Sequence, residues 1–383
     1  MLFYKRNPRL RNELVRTGRL RIRSPRAEVD STSDAITAAE RVLSAYHLAV
    51  SEGREHPEWR ADGLWEELIA RAYGDVIRCL ESRRPAALAR TLDGMFGSQV
   101  TTGLSMGGEL SYLDTSRGRD FYVDWWLDGL LCIVSYLGLL AEGMETGQAT
   151  IPSAASFEQL YGAVQRRLGT TFDFPDVCNA WGVEFNGVLT PRTSWRHLHS
   201  AHAMLRETAG VGSPRIVEVG AGFGGVAYWA HRLRPGAVRY ATYDFPIMNA
   251  IAGYFLLRAV PETPVVLNGE PANPASAQIS VLPTWRISEE PDRGADLAFN
   301  QDSLPEMSRE AALRYLGIFD RIVRLGFYPE NHESAHRWDR SDPSSAQLRL
   351  PELDDSMKRL RCASRFRAWM RRGYFETFYR PEH

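Results

Sequence analysis

Apolar residues recur at helical spacing through the first half of the chain. In "SDAITAAERVLSAYHLAV", Ile36, Ala39, Val42, Leu43, Tyr46 and Val50 fall on one face, and Ser33 or Asp34 is placed to cap the start. "GLWEELIARAYGDVIRCLE" repeats the pattern through Leu64, Leu68, Ala72 and Val76. "PAALARTLDGMFG" follows, and then a Gly/Ser/Thr loop from Gly97 to Gly108. The most apolar stretch, "FYVDWWLDGLLCIVSYLGLLA" from Phe121 to Ala141, is interrupted by Asp124 and Asp128. Its unbroken part, from Gly129, falls short of the roughly 20 residues a membrane span needs, so a buried helix is expected and no membrane association. "SFEQLYGAVQRRLG" predicts a further amphipathic helix. Residues 27–200 therefore read as mostly helical, with no repeat and no low-complexity segment.

The pattern changes near residue 190. A helix over "TPRTSWRHLHSAHAMLRETA" leads to a short apolar strand, "RIVEVG", which stops at glycine. "GGVAYWAHRLRP" reads as a helix, "VRYATYDF" as a strand ending in an acid, and "PIMNAIAGYFLLRAV" as a helix with Pro246 near its start. "ISVLP", "ADLAFNQD" and "GFYPEN" supply three more strands, with the helix "SREAALRYLGIFDRIVRLG" before the last. "RGYFETFYRP" is a late strand expected to run antiparallel. Alternating strands and helices with short connections predict an α/β fold, a Rossmann-like, doubly wound and mostly parallel sheet. Two domains are expected: a helical one over residues 1–190 and the sheet domain over residues 191–383. The helical domain would serve acceptor binding or act as a lid, and could carry contacts of a homo-oligomer.

Composition narrows the classes. Of 46 basic residues in 383, only Lys5 and Lys358 are lysines, which suggests a GC-rich, bacterial genome. Neither lysine stands in a Walker A or pyridoxal context. The net charge of -1 gives no global reason to expect nucleic acid, although residues 1–26 and Lys358–Arg372 are locally basic. Cys79, Cys132, Cys178 and Cys362 are far apart, without a CxxC, so buried thiols in a reducing cytoplasm are expected. The basic N-terminus leads into no apolar segment of the kind that marks a signal peptide.

The most informative stretch is "IVEVGAGFGG", Ile216–Gly225. Gly220, Gly222 and Gly225 match G-x-G-x-x-G, with Gly224 between, and the order strand, glycine loop, helix puts backbone N–H groups beside a ligand. Glu218, inside the strand, would repel a diphosphate but welcome a cationic adenosyl donor. Asp244 ends the next strand, where a carboxylate can accept both ribose hydroxyls. "AFNQDSLPEM" ends the fourth strand with polar groups at the end of the sheet where ligands bind. The Asp302, Glu306, His332 and Glu333 side chains are candidates for a general base. His332 comes first, for its ordinary pKa near neutrality; Asp302 is second. Asn300 and Gln301 are expected to contact the cofactor's amino acid end or the acceptor. His197, His199 and His202 sit on the helix before the first strand, a helix expected to line the cofactor pocket. "HESAH", His332–His336, matches the H-E-x-x-H of zinc proteases. It follows a strand and a loop, not the apolar amphipathic helix that motif needs.

"VEVGAGFGG" resembles motif I of class I S-adenosylmethionine-dependent methyltransferases. Together with "YDFPIMNAIAGYFL", "NQDSLPEM" and "GFYPENHE", it resembles the sugar O-methyltransferase family of bacterial gene clusters, over roughly residues 180–335. The resemblance implies the class I methyltransferase fold and S-adenosyl-L-methionine as cofactor, held by Glu218, Gly220, Gly222, Gly224, Gly225, Asp244, Phe245, Asn300 and Gln301. Phe245 stands where the family often has an aliphatic residue and would lie against the adenine. The implied acceptor is a small molecule containing a sugar, such as a nucleotide sugar, a glycan or a glycosylated natural product. His332, Asp302 and Glu333 would do the proton chemistry. A divalent metal positioning sugar hydroxyls through His332, Glu333 or Asp302 stays open. So do N-methylation of an amino sugar, an NAD-type Rossmann oxidoreductase and an inactive scaffold.

Overall fold

The computed structural model describes residues 8–29, 31–101, 104, 106–139, 153–271, 278–332 and 350–382. The chain forms two compact units. One is Met1–Val29, Gly94–Ser200 and Trp369–Arg372; the other is Asp30–Asp93, Ala201–Ala368 and Gly373–His383. The helices between residues 33 and 93 thus group with the sheet, a division unlike a single boundary near residue 190.

The first unit is not wholly helical. Strands β1 (Leu20–Arg23), β2 (Gly182–Phe185) and β3 (Val188–Thr190) form an antiparallel sheet in the order β1-β2-β3. Asn186 and Gly187, both at positive φ (50° and 82°), make the two-residue turn between β2 and β3. Asn-Gly is the pair that adopts such a turn at least cost. The long apolar helix runs Ser116–Tyr136 and begins at Thr115, whose hydroxyl accepts from Gly118 N–H. Among the described residues no helix is long and apolar enough to cross a membrane. Two acids of helix Ser116–Tyr136 are buried: Asp124 pairs with Arg11 at 2.9 Å, while Asp128 is pushed up to about 7 by burial and by Asp124 one turn away.

The second unit holds the predicted α/β fold. Strands β4 (Arg215–Val219), β5 (Arg239–Asp244), β6 (Val265–Leu267), β7 (Ile279–Pro283), β8 (Ala295–Gln301), β9 (Val323–His332), β10 (Leu360–Arg367) and β11 (Tyr374–Pro381) form one sheet. The order is β10-β11-β9-β8-β4-β5-β7-β6, and β11 pairs antiparallel with both of its neighbours. The pairs β4–β5, β4–β8, β5–β7, β6–β7 and β8–β9 are parallel. Dinucleotide-binding sheets run 3-2-1-4-5-6. Here a reversed strand is inserted before the last, and β6 adds an edge.

Helix Pro246–Ala259 is buried nearly all round, as an apolar helix without a polar face must be. The small-residue face of helix Ser33–Glu52 (Ala35, Ala38, Ala39, Val42) packs on it, which is why that helix belongs to this unit. Thr32, not Ser33 or Asp34, caps the latter helix. The single pattern expected through residues 64–81 breaks at Tyr73 into helices Gly63–Ala72 and Gly74–Glu81. On one face of the sheet, Val217, Val219, Ala241, Tyr243, Ala298 and Phe327 pack with Leu316 and Phe319 of helix Arg309–Ile322. Each fully buried valine, leucine or phenylalanine of this cluster contributes roughly 1.5–3 kcal/mol.

Candidate functional site

The chain leaves β4 toward β5 on one side and, later, toward β8 on the other. The gap between the carboxyl ends of β4 and β8 is therefore the topological switch point, where ligands of open α/β sheets bind. The glycine loop occupies it. Gly220 has φ +79°, its N–H donates to Tyr243 O at 3.1 Å, and a Cβ there would collide with Ser303 Oγ. Gly224, at φ +86°, is the N-cap of helix Gly225–Leu233 and offers no side chain to it. The first N–H groups of that helix have no partner within it by geometry, so they are available at the loop.

Alternation along the strands puts Glu218, Tyr240, Thr242 and Asp244 on the sheet face opposite the Val217–Val219 core. Glu218 is buried, accepts from Tyr240 O–H at 2.9 Å and is pushed up to about 8, chiefly by burial and further by Asp244. Asp244 is also buried and rises to about 7. Burial drives the shift, and N–H donors from Phe245, Gly222 and Ala221 oppose it. Its Oδ1 accepts from Phe245 N–H at 2.8 Å and its Oδ2 from Gly222 N–H at 3.3 Å. Asp244 does not cap helix Pro246–Ala259; the N-cap is Phe245, half-buried, with no side-chain cap. The acid is thus turned to the glycine loop.

The end of β8 is built around Asn300, which is fully buried. Its Nδ2 donates to Val219 O at 2.9 Å and to Ser303 Oγ; its Oδ1 accepts from Leu304 N–H at 3.3 Å and Asn331 Nδ2 at 3.1 Å. All four capacities of the amide are filled by protein. Asn300 therefore ties β4, β8 and β9 together just before Gly220, where a cofactor contact was expected. Gln301, beside it, donates to Glu330 Oε2 at 2.7 Å. Asp302 takes a left-handed conformation, φ +69°, rare for a residue with a side chain, and its N–H donates to Glu330 O. Glu306 accepts from Trp65 Nε1 at 3.0 Å.

His332 ends β9, half-buried, with the Tyr374 ring edge-on at 5.6 Å. Asp302 and His332 thus follow or end adjacent parallel strands. Glu333 and the rest of "HESAH" lie outside the described residues; His332 itself is in a strand. His197 and His199 are buried in the other unit. His197 is held well below its ordinary pKa by burial and by Arg196, Arg192 and Arg371. Among the described residues no group of three His, Cys, Asp or Glu side chains could hold a metal ion.

Three residues join the site that spacing alone does not disclose. Tyr240 faces Glu218. Glu330 and Glu376, both fully buried, stand opposite one another on β9 and β11, with Tyr328 O–H donating to Glu376 at 2.6 Å. The signal for Glu376 was its place amid the aromatics of "YFETFY"; Glu330 lay within the strand "GFYPEN".

No protein-family model matches the chain, and no curated protein matches it. Solved structures do. A SAM dependent methyltransferase from Aquifex aeolicus is 17% identical, with a TM-score of 0.32, over 49% of this chain and 92% of that one. Magnesium protoporphyrin IX methyltransferase from Synechocystis, with bound SAH, is 12% identical (TM-score 0.35; 49% and 82% covered). A Burkholderia thailandensis 1,6-didemethyltoxoflavin-N1-methyltransferase is 17% identical (TM-score 0.32; 49% and 79% covered).

Proposed function

We propose that this protein is an S-adenosylmethionine-dependent O-methyltransferase acting on a small molecule that contains a sugar. The observation that carries the cofactor reading is the pair of buried acids, Glu218 and Asp244, on either side of a glycine loop at the switch point. Both are held above their ordinary pKa by burial, so a cationic ligand would gain by entering and a diphosphate would lose. Gly220 lets the turn lie tight against Ser303, which keeps the backbone of the loop at the end of β8. S-adenosylmethionine supplies an activated methyl group on a sulfonium.

In this reading Asp244 accepts the ribose hydroxyls, Phe245 lies against the adenine, and Glu218 compensates positive charge. Asn300 holds the turn at Gly220, and Gln301, fixed by Glu330, faces the acceptor. A sugar hydroxyl must lose its proton as it attacks, and His332 or Asp302 receives it. The sugar acceptor rests on the resemblance of "VEVGAGFGGVA", "YDFPIMNAIAGYFL", "NQDSLPEM" and "GFYPENHE", taken together.

Calorimetry with S-adenosylhomocysteine tests the cofactor. The wild type should bind it and Asp244→Ala should bind at least about tenfold more weakly, the loss of two hydrogen bonds to a carboxylate. Binding of NADH in its place, with none of S-adenosylhomocysteine, ends the proposal in favour of an oxidoreductase.

A further inference from the structure

The glycine loop and its acids lie at the carboxyl ends of the parallel strands. A second cleft, of about 690 Å³, opens at their amino ends and lies wholly within the sheet unit. Its walls are the turn before β8, the start of β9, the residue before β10, the end of β11 and Glu207, which ends helix Arg192–Glu207. β9 connects the two regions. Arg324 stands near its start and His332 at its end, and its 10 residues span about 30 Å at ~3.3 Å each. None of the residues assigned to the adenosyl cofactor or to the proton chemistry lines this cleft. Its volume is that of a small-molecule site.

Four guanidinium groups line it, those of Arg293, Arg324, Arg359 and Arg380, against two carboxylates, Glu207 and Glu382, an excess of two positive charges. Both carboxylates are engaged: Glu207 pairs with Arg380 and Glu382 with Arg361, each at 3.2 Å. Arg324 pairs with the buried Asp296. Arg359, from the basic run that begins at Lys358, is fixed by backbone carbonyls. Its Nε donates to Asp320 O at 2.8 Å and its Nη2 to Val323 O at 2.6 Å. Arg293 is exposed, and among the described residues neither its side chain nor that of Arg359 has an acid partner. Arg293 also stands at φ +54°, a left-handed conformation that costs a residue with a side chain and that glycine would take freely. Such strain concentrates where a side chain is needed for a task beyond folding. The apolar part of the lining includes Leu325 and Phe378. A Cβ at position 326 would come within 2.9 Å of the Phe378 ring, so Gly326 leaves room for the ring against β9. Arg380 lies over the same ring at 4.9 Å, held there by Glu207 as well.

We propose that this cleft is a second ligand site, at the end of the sheet opposite the adenosyl crevice, and that it takes a small organic molecule bearing a phosphate monoester. Such a group carries about 1.5–2 negative charges near neutral pH, which matches the excess of two. Guanidinium forks fit its oxygens in pairs, and the organic body rests on Phe378 and Leu325. The site does not depend on which cofactor the crevice binds.

The test is calorimetry on the full chain at low salt and about pH 8, with phenyl phosphate, phenyl sulfate and inorganic phosphate. The sulfate ester has the same shape with a single charge. Phenyl phosphate should bind at least about tenfold more tightly than phenyl sulfate, and several-fold more tightly than inorganic phosphate. Arg293→Gly should lower its affinity at least about tenfold while melting within a few degrees of wild type, because glycine suits that backbone. Glu207→Gln removes a lining carboxylate and should tighten binding several-fold. Saturating S-adenosylhomocysteine should leave the affinity unchanged within about twofold. Equal binding of the two esters, equal binding of inorganic phosphate, or indifference to Arg293→Gly overturns the proposal. So does weaker or unchanged binding in Glu207→Gln, or competition by S-adenosylhomocysteine, which would put the anion in the crevice. Tight capture of a single-stranded oligonucleotide, with the two phenyl esters bound alike, would make the cleft a nucleic-acid surface and overturn it too.

Discussion

Glu218→Gln removes one proton from the energetics of the site while keeping its shape. The Gln carbonyl can still accept from Tyr240 O–H. In the wild type, burial raises Glu218 from an ordinary 4.5 to about 8. Between those values the folded chain keeps a proton that the unfolded chain releases. The contribution is complete below pH 4.5 and is lost as pH rises through about 8. The loss is about 1.4 kcal/mol per pH unit, and the full gap corresponds to ~5 kcal/mol as an upper bound. Asp244, raised from 3.8 to about 7, adds a loss of the same sign over a lower window. The Gln variant keeps Asp244's share and drops Glu218's. Urea midpoints followed by tryptophan fluorescence, without ligand, at about pH 5.5 and 7.5, measure the difference: wild type should lose ~2–3 kcal/mol more than Glu218→Gln across that interval. A cationic ligand favours the ionised acid, so its binding should release a proton near neutral pH, seen as an enthalpy that depends on buffer, and the release should shrink in the variant. Parallel stability profiles for the two proteins would mean that Glu218 is already ionised, and the electrostatic reading of the crevice would fail with it.

Gly220→Ala should destabilise by about 1–3 kcal/mol, because a Cβ collides with Ser303 Oγ and φ +79° is strained for alanine; thermal melting measures this, and Ser303→Gly in the same chain should restore part of the loss. Asn300→Ala breaks four buried hydrogen bonds and should cost ~2–4 kcal/mol by urea unfolding; a change below about 0.5 kcal/mol would refute its role as the tie between three strands. Asp302→Ala and His332→Ala should each bind S-adenosylhomocysteine as wild type does; the one that serves as base should lose about 100-fold or more in methyl transfer, and full turnover in either removes that residue from the role.

Much of the sheet was legible because its central strands are short apolar runs that end at glycine or an acid. "RIVEVG", "VRYATYDF" and "ADLAFNQD" give β4, β5 and β8 nearly to the residue. Two strands were hidden for opposite reasons. β6 has only three residues, too few for any period. β10, "LRCASRFR", lies at an edge and is exposed along most of its length, so it carries no buried stripe. The β2–β3 hairpin had one clear signal, Asn186–Gly187, but strands of four and three residues around it. In the site, the glycine loop and Asp244 stood out because turn chemistry is local. Tyr240, Glu330 and Glu376 did not, because their meaning depends on register: which residue faces which across strands far apart in sequence.

Register also explains why the acids matter together. Glu218, Asp244, Glu330 and Glu376 lie at or near the carboxyl end of one sheet, all buried. Burying one such group costs several kcal/mol unless it is neutralised or hydrogen-bonded. Two of them accept from a neighbouring side chain at one oxygen, Glu330 from Gln301 and Glu376 from Tyr328. For Glu218 and Asp244 the tyrosine and backbone donors leave the pKa raised, so the offset is incomplete. Within the fold Glu218 serves only as the acceptor for Tyr240 O–H, a role a neutral glutamine would fill as well without the burial of a charge. A ligand carrying positive charge is what would complete the balance, and an anionic diphosphate would deepen the deficit. Glu218→Gln should accordingly raise the stability of the unliganded chain at pH 8 while weakening the capture of a cationic adenosyl ligand. If one substitution raises both stability and affinity, the uncompensated acid has no part in binding.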